Sequence, residues 1–311
     1  MKLIFALCVL VFTTAAPLAA LGAEPTSPKP TWENVHYGAH ERQVLDFYQA
    51  RSDAPTPLLL FIHGGGWMSG DKKGPDLLKP CLDARISVVS INYRLIQDAT
   101  AAGVWPPVEW PLRDSARALQ FVRSKAVEWN LDPTRIGACG GSAGGFNCLW
   151  LAFHADMAVP QSADPIARQS TRLRCVLAFV PQTSLDPKQM REWIPNNNYG
   201  NHAFGLPNYQ EFLHQRERLM KWIEDYSPYA LATRDAPPVC LFYDARPAMG
   251  QPYKDPPHSA NFGAGLAQKL KGLGVEFEVN YNQWPAPPDV KHPNLITFFT
   301  DHLQAAPRPG H

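Results

Sequence analysis

A chain of 311 residues, 45% of them hydrophobic and 18% charged, is long enough to bury a large core and too apolar to be a disordered polymer. Its 29 Lys and Arg residues balance 28 Asp and Glu, so it lacks the basic footprint of a nucleic-acid binder. Proline, at 31 residues, is about twice its usual share, which forecasts long loops and sharp turns.

Residues 1–23 read as a secretory leader. Met1-Lys2 is a positive start, Leu3 to Phe12 an apolar run, and Ala15 to Ala23 a small-residue stretch ahead of Glu24-Pro25. The apolar run is too short to anchor in a bilayer, and no other stretch is long enough for a transmembrane helix. The expectation is an exported protein, periplasmic or secreted. Beyond Cys8 the chain carries Cys81, Cys139, Cys148, Cys175 and Cys240. An odd set cannot all pair within one chain, and their apolar surroundings favour buried thiols, with room for one disulfide. No CxxC or CxH spacing suggests zinc, and no metal or cofactor is expected.

Residues 24–31 form a Pro-rich linker to a domain expected over 32–305, with 306–311 as a tail. Asn34–Gly38 and Gln43–Gln49 read as strands, the second with period-two alternation. The continuous apolar runs Pro57–Ile62 and Ile86–Tyr93 are what strands buried on both faces look like. Leu112–Trp129 has helical spacing, with Leu112, Ala116, Leu119, Val122 and Val127 assigned to one face. Arg135–Cys139 reads as a strand, Ala143–His154 as a helix, and Leu173–Val180 and Val239–Tyr243 as strands. Asn261–Leu273 follows as a helix, Glu276–Tyr281 as a strand and Asn294–Gln304 as the last helix. Strand–helix alternation implies a mostly parallel, doubly wound sheet of about eight strands. Residues 183–236, with a helix near Tyr209–Tyr226, interrupt the alternation and are expected to form a cap.

Two motifs carry chemistry. Gly140-Gly141-Ser142-Ala143-Gly144 has the G-x-S-x-G spacing between a strand and a helix, and a further glycine follows. A sharp turn there lifts a serine hydroxyl clear of the sheet, and the next helix offers backbone N–H groups. His63-Gly64-Gly65-Gly66-Trp67 ends a buried strand and leaves backbone N–H groups open to an oxyanion. A phosphate loop would want a Lys-Ser/Thr after the glycines, and none is present.

With these motifs the sequence resembles the α/β-hydrolase fold, in the branch of hormone-sensitive-lipase-like and bacterial feruloyl-esterase-type carboxylesterases. Further matching residues are Val44-Leu45-Asp46-Phe47-Tyr48, Asn92-Tyr93-Arg94-Leu95, Pro111 with Asp114, Asp132–Ile136, Ser227-Pro228 and Ala236–Val239. The resemblance spans residues 32–305 and is dense to about 155. It implies a serine esterase with Ser142 as nucleophile and Gly65, Gly66 and Ala143 as oxyanion-hole donors. His63, Arg94 and Asp114 would be structural. The substrate implied is a small-molecule ester. The polar, aromatic segment 191–200 would suit an acylated sugar or an aromatic acid ester, and Trp67 is the aromatic placed to line a pocket.

In this fold the triad runs Ser, acid, His along the chain. His292 is the only histidine between the last expected strand and the last helix, so it is the candidate base. The usual acid position is occupied by Pro247. Asp244 is the first candidate acid, Asp255 and Asp186 are alternatives, and an absent acid is the fourth possibility. A triad without its acid loses about four orders of magnitude in rate. Two readings therefore stand: an esterase acting through Ser142, or a weak or inactive hydrolase scaffold that binds a ligand or partner. A peptidase on this fold would usually bring an accessory domain for which the chain has no room.

Overall fold

A computed structural model describes residues 28–281 and 291–304. The expected leader, and residues 306–311, lie outside the described residues. Among the described residues, no helix is long and apolar enough to cross a membrane.

Strands β1 (Trp32–His36), β2 (Val44–Tyr48), β3 (Thr56–Ile62) and β4 (Ser87–Ile91) open the sheet, with helix α1 (Leu78–Asp83) before β4. Helices α2 (Ile96–Ala101) and α3 (Glu109–Ser124) lead to β5 (Leu131–Gly141), α4 (Ala143–Phe153) and β6 (Cys175–Phe179). Helices α5 (Pro187–Trp193), α6 (Tyr209–His214), α7 (Arg216–Tyr226) and α8 (Pro228–Leu231) separate β6 from β7 (Val239–Tyr243). Helix α9 (Asn261–Leu273), β8 (Phe277–Tyr281) and α10 (Leu295–Gln304) close the chain. The eight strands form one sheet in the order β1-β2-β4-β3-β5-β6-β7-β8, and every pair from β4 onward is parallel. This is the mostly parallel sheet of about eight strands expected from the alternation, and it suits the α/β-hydrolase fold that the resemblance implies.

Strand β3 shows why the apolar runs behave as they do. Leu58, Leu60 and Ile62 point into the core under α3, α4 and α9, while Leu59 points into a second core under α1 and α10. All four are fully buried, each contributing roughly 1.5–3 kcal/mol. Helices α4, α9 and α10 and strands β3, β7 and β8 follow their expected spans to within a residue, α9 and β7 without change. Helix α3 differs: it ends at Ser124, and Val127 is 98% exposed. The five-residue step from Val122 to Val127 leaves the apolar face, which advances by three or four. The five described cysteines are all buried thiols, and no disulfide forms among them. Burial pushes the thiols of Cys81, Cys139, Cys148 and Cys240 up, Cys81 to about 12.

The sheet also positions the two motifs. Ile62 at the end of β3 pairs in register with Gly140 at the end of β5. The glycine loop after β3 and the turn after β5 therefore emerge side by side at the carboxyl edge, where open α/β sheets bind ligands.

Candidate active site

Ser142 caps the N-terminus of α4 with φ 51° and ψ −121°. Such a conformation costs on the order of 1–3 kcal/mol and persists only where surroundings impose it. Here the Ser142 N–H donates to the Phe179 carbonyl at 2.8 Å. Gly144 permits the close approach beneath the turn: a Cβ there would lie 2.0 Å from the Ile62 carbonyl oxygen and 2.6 Å from that of His63.

The glycine loop lies against this turn. A Cβ on Gly64 would sit 3.5 Å from the Ser142 Cβ, and Gly66 has φ +61°. His63 braces the loop rather than entering the site. Its ring stacks on Tyr93 at 4.3 Å, and its Nδ1 meets the Gly64 carbonyl at 2.8 Å. The Tyr93 hydroxyl donates to the His63 carbonyl at 2.9 Å. Burial pushes the His63 imidazole down to about 4, so it is neutral near pH 7. Trp67 is fully buried, donating from Nε1 to Asn147 Oδ1 at 2.8 Å, so it ties the loop to α4 and lines no open pocket. Arg94 and Asp114 form a buried brace, with Nη2 to Oδ1 at 2.6 Å and Nε to Oδ2 at 2.9 Å.

The imidazole at Ser142 is that of His258. Its Nε2 lies 2.9 Å from Ser142 Oγ, and its Nδ1 lies 2.7 Å from Asp255 Oδ2. Both residues come from one short segment, Asp255-Pro256-Pro257-His258, whose last three residues form a 3-10 turn between β7 and α9. One side chain holds the segment directly, and two others hold the chain that flanks it. Gln182 Nε2 donates to the Pro257 carbonyl. Asn196 exchanges two hydrogen bonds with the Tyr253 backbone, at 2.8 and 3.0 Å. Asn261 Nδ2 donates to the carbonyls of Trp193 and Ala248, at 2.7 and 2.8 Å.

This arrangement corrects two of the sequence assignments. His292 does not meet Ser142. It is buried beside β8, at the far edge of the sheet, with Nδ1 2.5 Å from Glu278 Oε1 and Nε2 2.9 Å from Asp301 Oδ2. Both ring nitrogens are engaged, and β8 stands two strands beyond β6, the neighbour of the serine-bearing β5. Asp244 lies directly after β7 and is exposed, while the carboxylate on the imidazole belongs to Asp255, which sequence reasoning held only as an alternative. Asp186 is committed elsewhere: it caps α5 through the Lys188 N–H at 2.9 Å and pairs with Arg216 Nη2 at 2.6 Å. The missed histidine carried one local signal, an Asp and a His three residues apart across a Pro-Pro pair that presets a tight turn.

Gly65 and Gly66 follow Gly64 on the glycine loop, and Ala143 opens α4 directly after Ser142. Among the described residues, no group of His, Cys, Asp and Glu is arranged to hold a metal ion. A cavity lined by Arg123, Thr134, Asp156, Arg172, Arg174 and Asp235 opens at the amino ends of β5, β6 and β7, the opposite edge from Ser142.

Known proteins share this framework. The chain is 33% identical over 166 residues to versiconal hemiacetal acetate esterase of Dothistroma septosporum, covering 52% of this chain and 46% of that one. The chain spans less than half the length of the curated relatives it matches. Among solved structures it resembles a truncated carbohydrate esterase from gut microbiota, with TM-score 0.60 and 20% identity over 83% of this chain and 88% of that one. It also resembles an acetyl ester-xyloside bifunctional hydrolase of Caldicellulosiruptor lactoaceticus, with TM-score 0.56 and 23% identity over 76% of each. At such identities these two likenesses establish the α/β-hydrolase fold. The family model for BD-FAE matches residues 45–247, which take in the glycine loop and the Ser142 turn and stop short of Asp255 and His258. By that match across most of its length, the chain belongs to the BD-FAE family.

Proposed function

We propose that the protein hydrolyses carboxylic esters through an acyl-enzyme on Ser142, with His258 as general base and Asp255 as its acid. The observation that carries this is the unbroken chain of contacts Ser142 Oγ–His258 Nε2–Nδ1–Asp255 Oδ2, at 2.9 and 2.7 Å. With Nδ1–H donating to the carboxylate, Nε2 turns its lone pair to the serine hydroxyl. Ser142 Oγ attacks the ester carbonyl carbon while its proton passes to His258 Nε2. The carbonyl oxygen becomes an oxyanion, received by the N–H groups of Gly65, Gly66 and Ala143. Asp255 stabilises the imidazolium, which then protonates the departing alkoxide. Water, deprotonated by His258, attacks the acyl carbon and releases the acid and Ser142.

The relatives named as esterases support the reaction class, and Asp255 removes the reason for reading the chain as a scaffold, which was Pro247. The small-ester substrate, acylated sugar or aromatic acid ester, is carried forward on the same grounds. We also propose that residues 1–23 direct export, on the pattern Met1-Lys2, Leu3–Phe12 and Ala15–Ala23; N-terminal sequencing of protein recovered from outside the cytoplasm tests it.

The test of the site is fluorophosphonate labelling together with p-nitrophenyl acetate turnover. Wild type should label at Ser142, and Ser142→Ala should abolish both signals. His258→Ala should lower turnover by about 10³-fold or more, while His292→Ala should retain near-wild-type kcat in the folded fraction. Absence of labelling in folded wild type, or a larger loss with His292→Ala than with His258→Ala, would refute the assignment.

A further inference from the structure

The segment between α5 and α6 reaches back over the glycine loop. Its backbone is set by a buried amide: Asn197 Nδ2 donates to the Tyr199 carbonyl and approaches the Tyr209 hydroxyl, both at 3.2 Å. Arg191 Nε donates in turn to the Asn197 carbonyl. Tyr199 is thereby held with its ring edge-on to His202, at 4.5 Å and 68°. Its hydroxyl ends 3.0 Å from the point a Cβ on Gly66 would occupy. Any side chain at residue 66 would meet that hydroxyl, so the glycine serves this approach as well as its positive φ.

Two polar atoms converge there without partners among the described residues. One is the Tyr199 hydroxyl, for which the structure gives no hydrogen bond. The other is His202 Nε2, which is buried, unpaired and 3.9 Å from the same point. Buried polar atoms are nearly always paired, so the orphaned His202 Nε2, with the hydroxyl of the half-buried Tyr199 beside it, marks a place where a bound group completes it. Their protonation states fit one sign of charge. Burial pushes the Tyr199 phenol up to about 12, so it keeps its proton and can donate. Burial pushes the His202 imidazole down to about 4, so it is neutral near pH 7.

We propose that Tyr199 is a further catalytic residue, its hydroxyl donating a hydrogen bond to the ester carbonyl oxygen as that oxygen becomes the oxyanion beside Gly65 and Gly66. This rests on the ester-hydrolase reading above. A neutral donor in a partly dry site gains strength as charge develops on its acceptor, so its contribution falls in the transition state rather than in substrate binding.

The experiment compares wild type, Tyr199→Phe and Ser142→Ala on p-nitrophenyl acetate, with thermal melting as the fold control. Tyr199→Phe keeps the ring and removes only the hydroxyl. It should lower kcat by about 10- to 100-fold with KM within threefold, and weaken binding of a trifluoromethyl ketone, which forms an oxyanion on Ser142, by a similar factor. Tyr199→Leu gives the same comparison if the Phe variant melts early. A kcat within twofold of wild type, or a loss confined to KM, overturns the proposal. If Ser142→Ala is inactive while Tyr199→Phe behaves as wild type, only the Tyr199 role fails. If Ser142→Ala turns over as fast as wild type, the ester-hydrolase reading fails and takes this role with it.

Discussion

Replacing Asp255 by Asn tests how much an acid is worth when water reaches it. The Asp255 side chain is 52% exposed and the His258 side chain 32%, with 2.7 Å between Oδ2 and Nδ1. Two unit charges about 4 Å apart attract by ~1 kcal/mol in water and by ~4 kcal/mol at an effective dielectric of about 20. The half-exposed carboxylate belongs nearer the first limit, so the imidazolium should lose about 1–3 kcal/mol of stabilisation. An asparagine would also offer an N–H to Nδ1 and favour the wrong tautomer. The expected result is a kcat lower by about 10- to 10³-fold, short of the ~10⁴-fold cost of losing a buried triad acid. Steady-state turnover of p-nitrophenyl acetate, normalised by fluorophosphonate titration of active sites, measures it. Asp244→Asn and Asp186→Asn are the controls and should leave kcat within about threefold. An unchanged rate for Asp255→Asn alongside a large loss in either control would refute the reasoning.

Four further outcomes follow from the packing. His63 and His202 are held at about 4 by burial, below an unfolded value near 6.5, so the unfolded chain binds more protons between those limits. Stability should therefore fall as pH drops from about 6.5 to about 4, by on the order of 3 kcal/mol per histidine, and His202→Gln should flatten the slope of urea-melt stability against pH by about half. Gly144→Ala drives a methyl to 2.0 Å from the Ile62 carbonyl oxygen and should abolish fluorophosphonate labelling or soluble expression. Asn196→Ala removes two hydrogen bonds to the Tyr253 backbone and should lower kcat by about tenfold with a melting shift of only a few degrees, read by calorimetry and kinetics together. Cys81, Cys139, Cys148, Cys175 and Cys240 should resist a thiol reagent in the native protein and react on unfolding, as absorbance titration would show.

How much of this was legible in the sequence depended on whether the determining contacts were local. The turn at Ser142 is written in consecutive residues, because the strand, the glycines and the helix start all act within ten positions. Strand β7 and helix α9 were legible to their ends, the helix because Gly274 closes it in the left-handed conformation at φ +71°. The helices α1 and α2, each of six residues, were not. A helix that short shows under two turns of periodicity and is held by tertiary packing. The base was misplaced for a different reason. The order of elements singled out His292, but order does not say which way a ring points, and Glu278 and Asp301 take both its nitrogens. Sequence reasoning did weigh Asp255 as an acid and passed over the histidine three residues later. That pairing depends on a turn imposed by Pro256 and Pro257, whose Asp-Pro-Pro-His pattern is its one local signal.

Having acid and base on one turn changes what can disturb the site. A carboxylate and an imidazole on separate loops are aligned only as well as the sheet aligns those loops. Here their relative orientation is fixed within four residues, by Pro256, Pro257 and the His258 N–H donating to the Asp255 carbonyl at 3.0 Å. What the turn cannot fix by itself is its distance from Ser142. That is left to Gln182 beneath Pro257, to Asn261 at the start of α9 and to Asn196 beside Tyr253. Substitutions at these amides should therefore lower the rate while leaving the His258–Asp255 pair intact. Asn196 belongs to the same segment as Tyr199, and that segment touches the histidine-bearing loop at one end and Gly66 at the other. A shift of the segment would therefore disturb the His258 loop and the glycine loop together, which makes the insertion between β6 and β7 the place where one substitution should reach both.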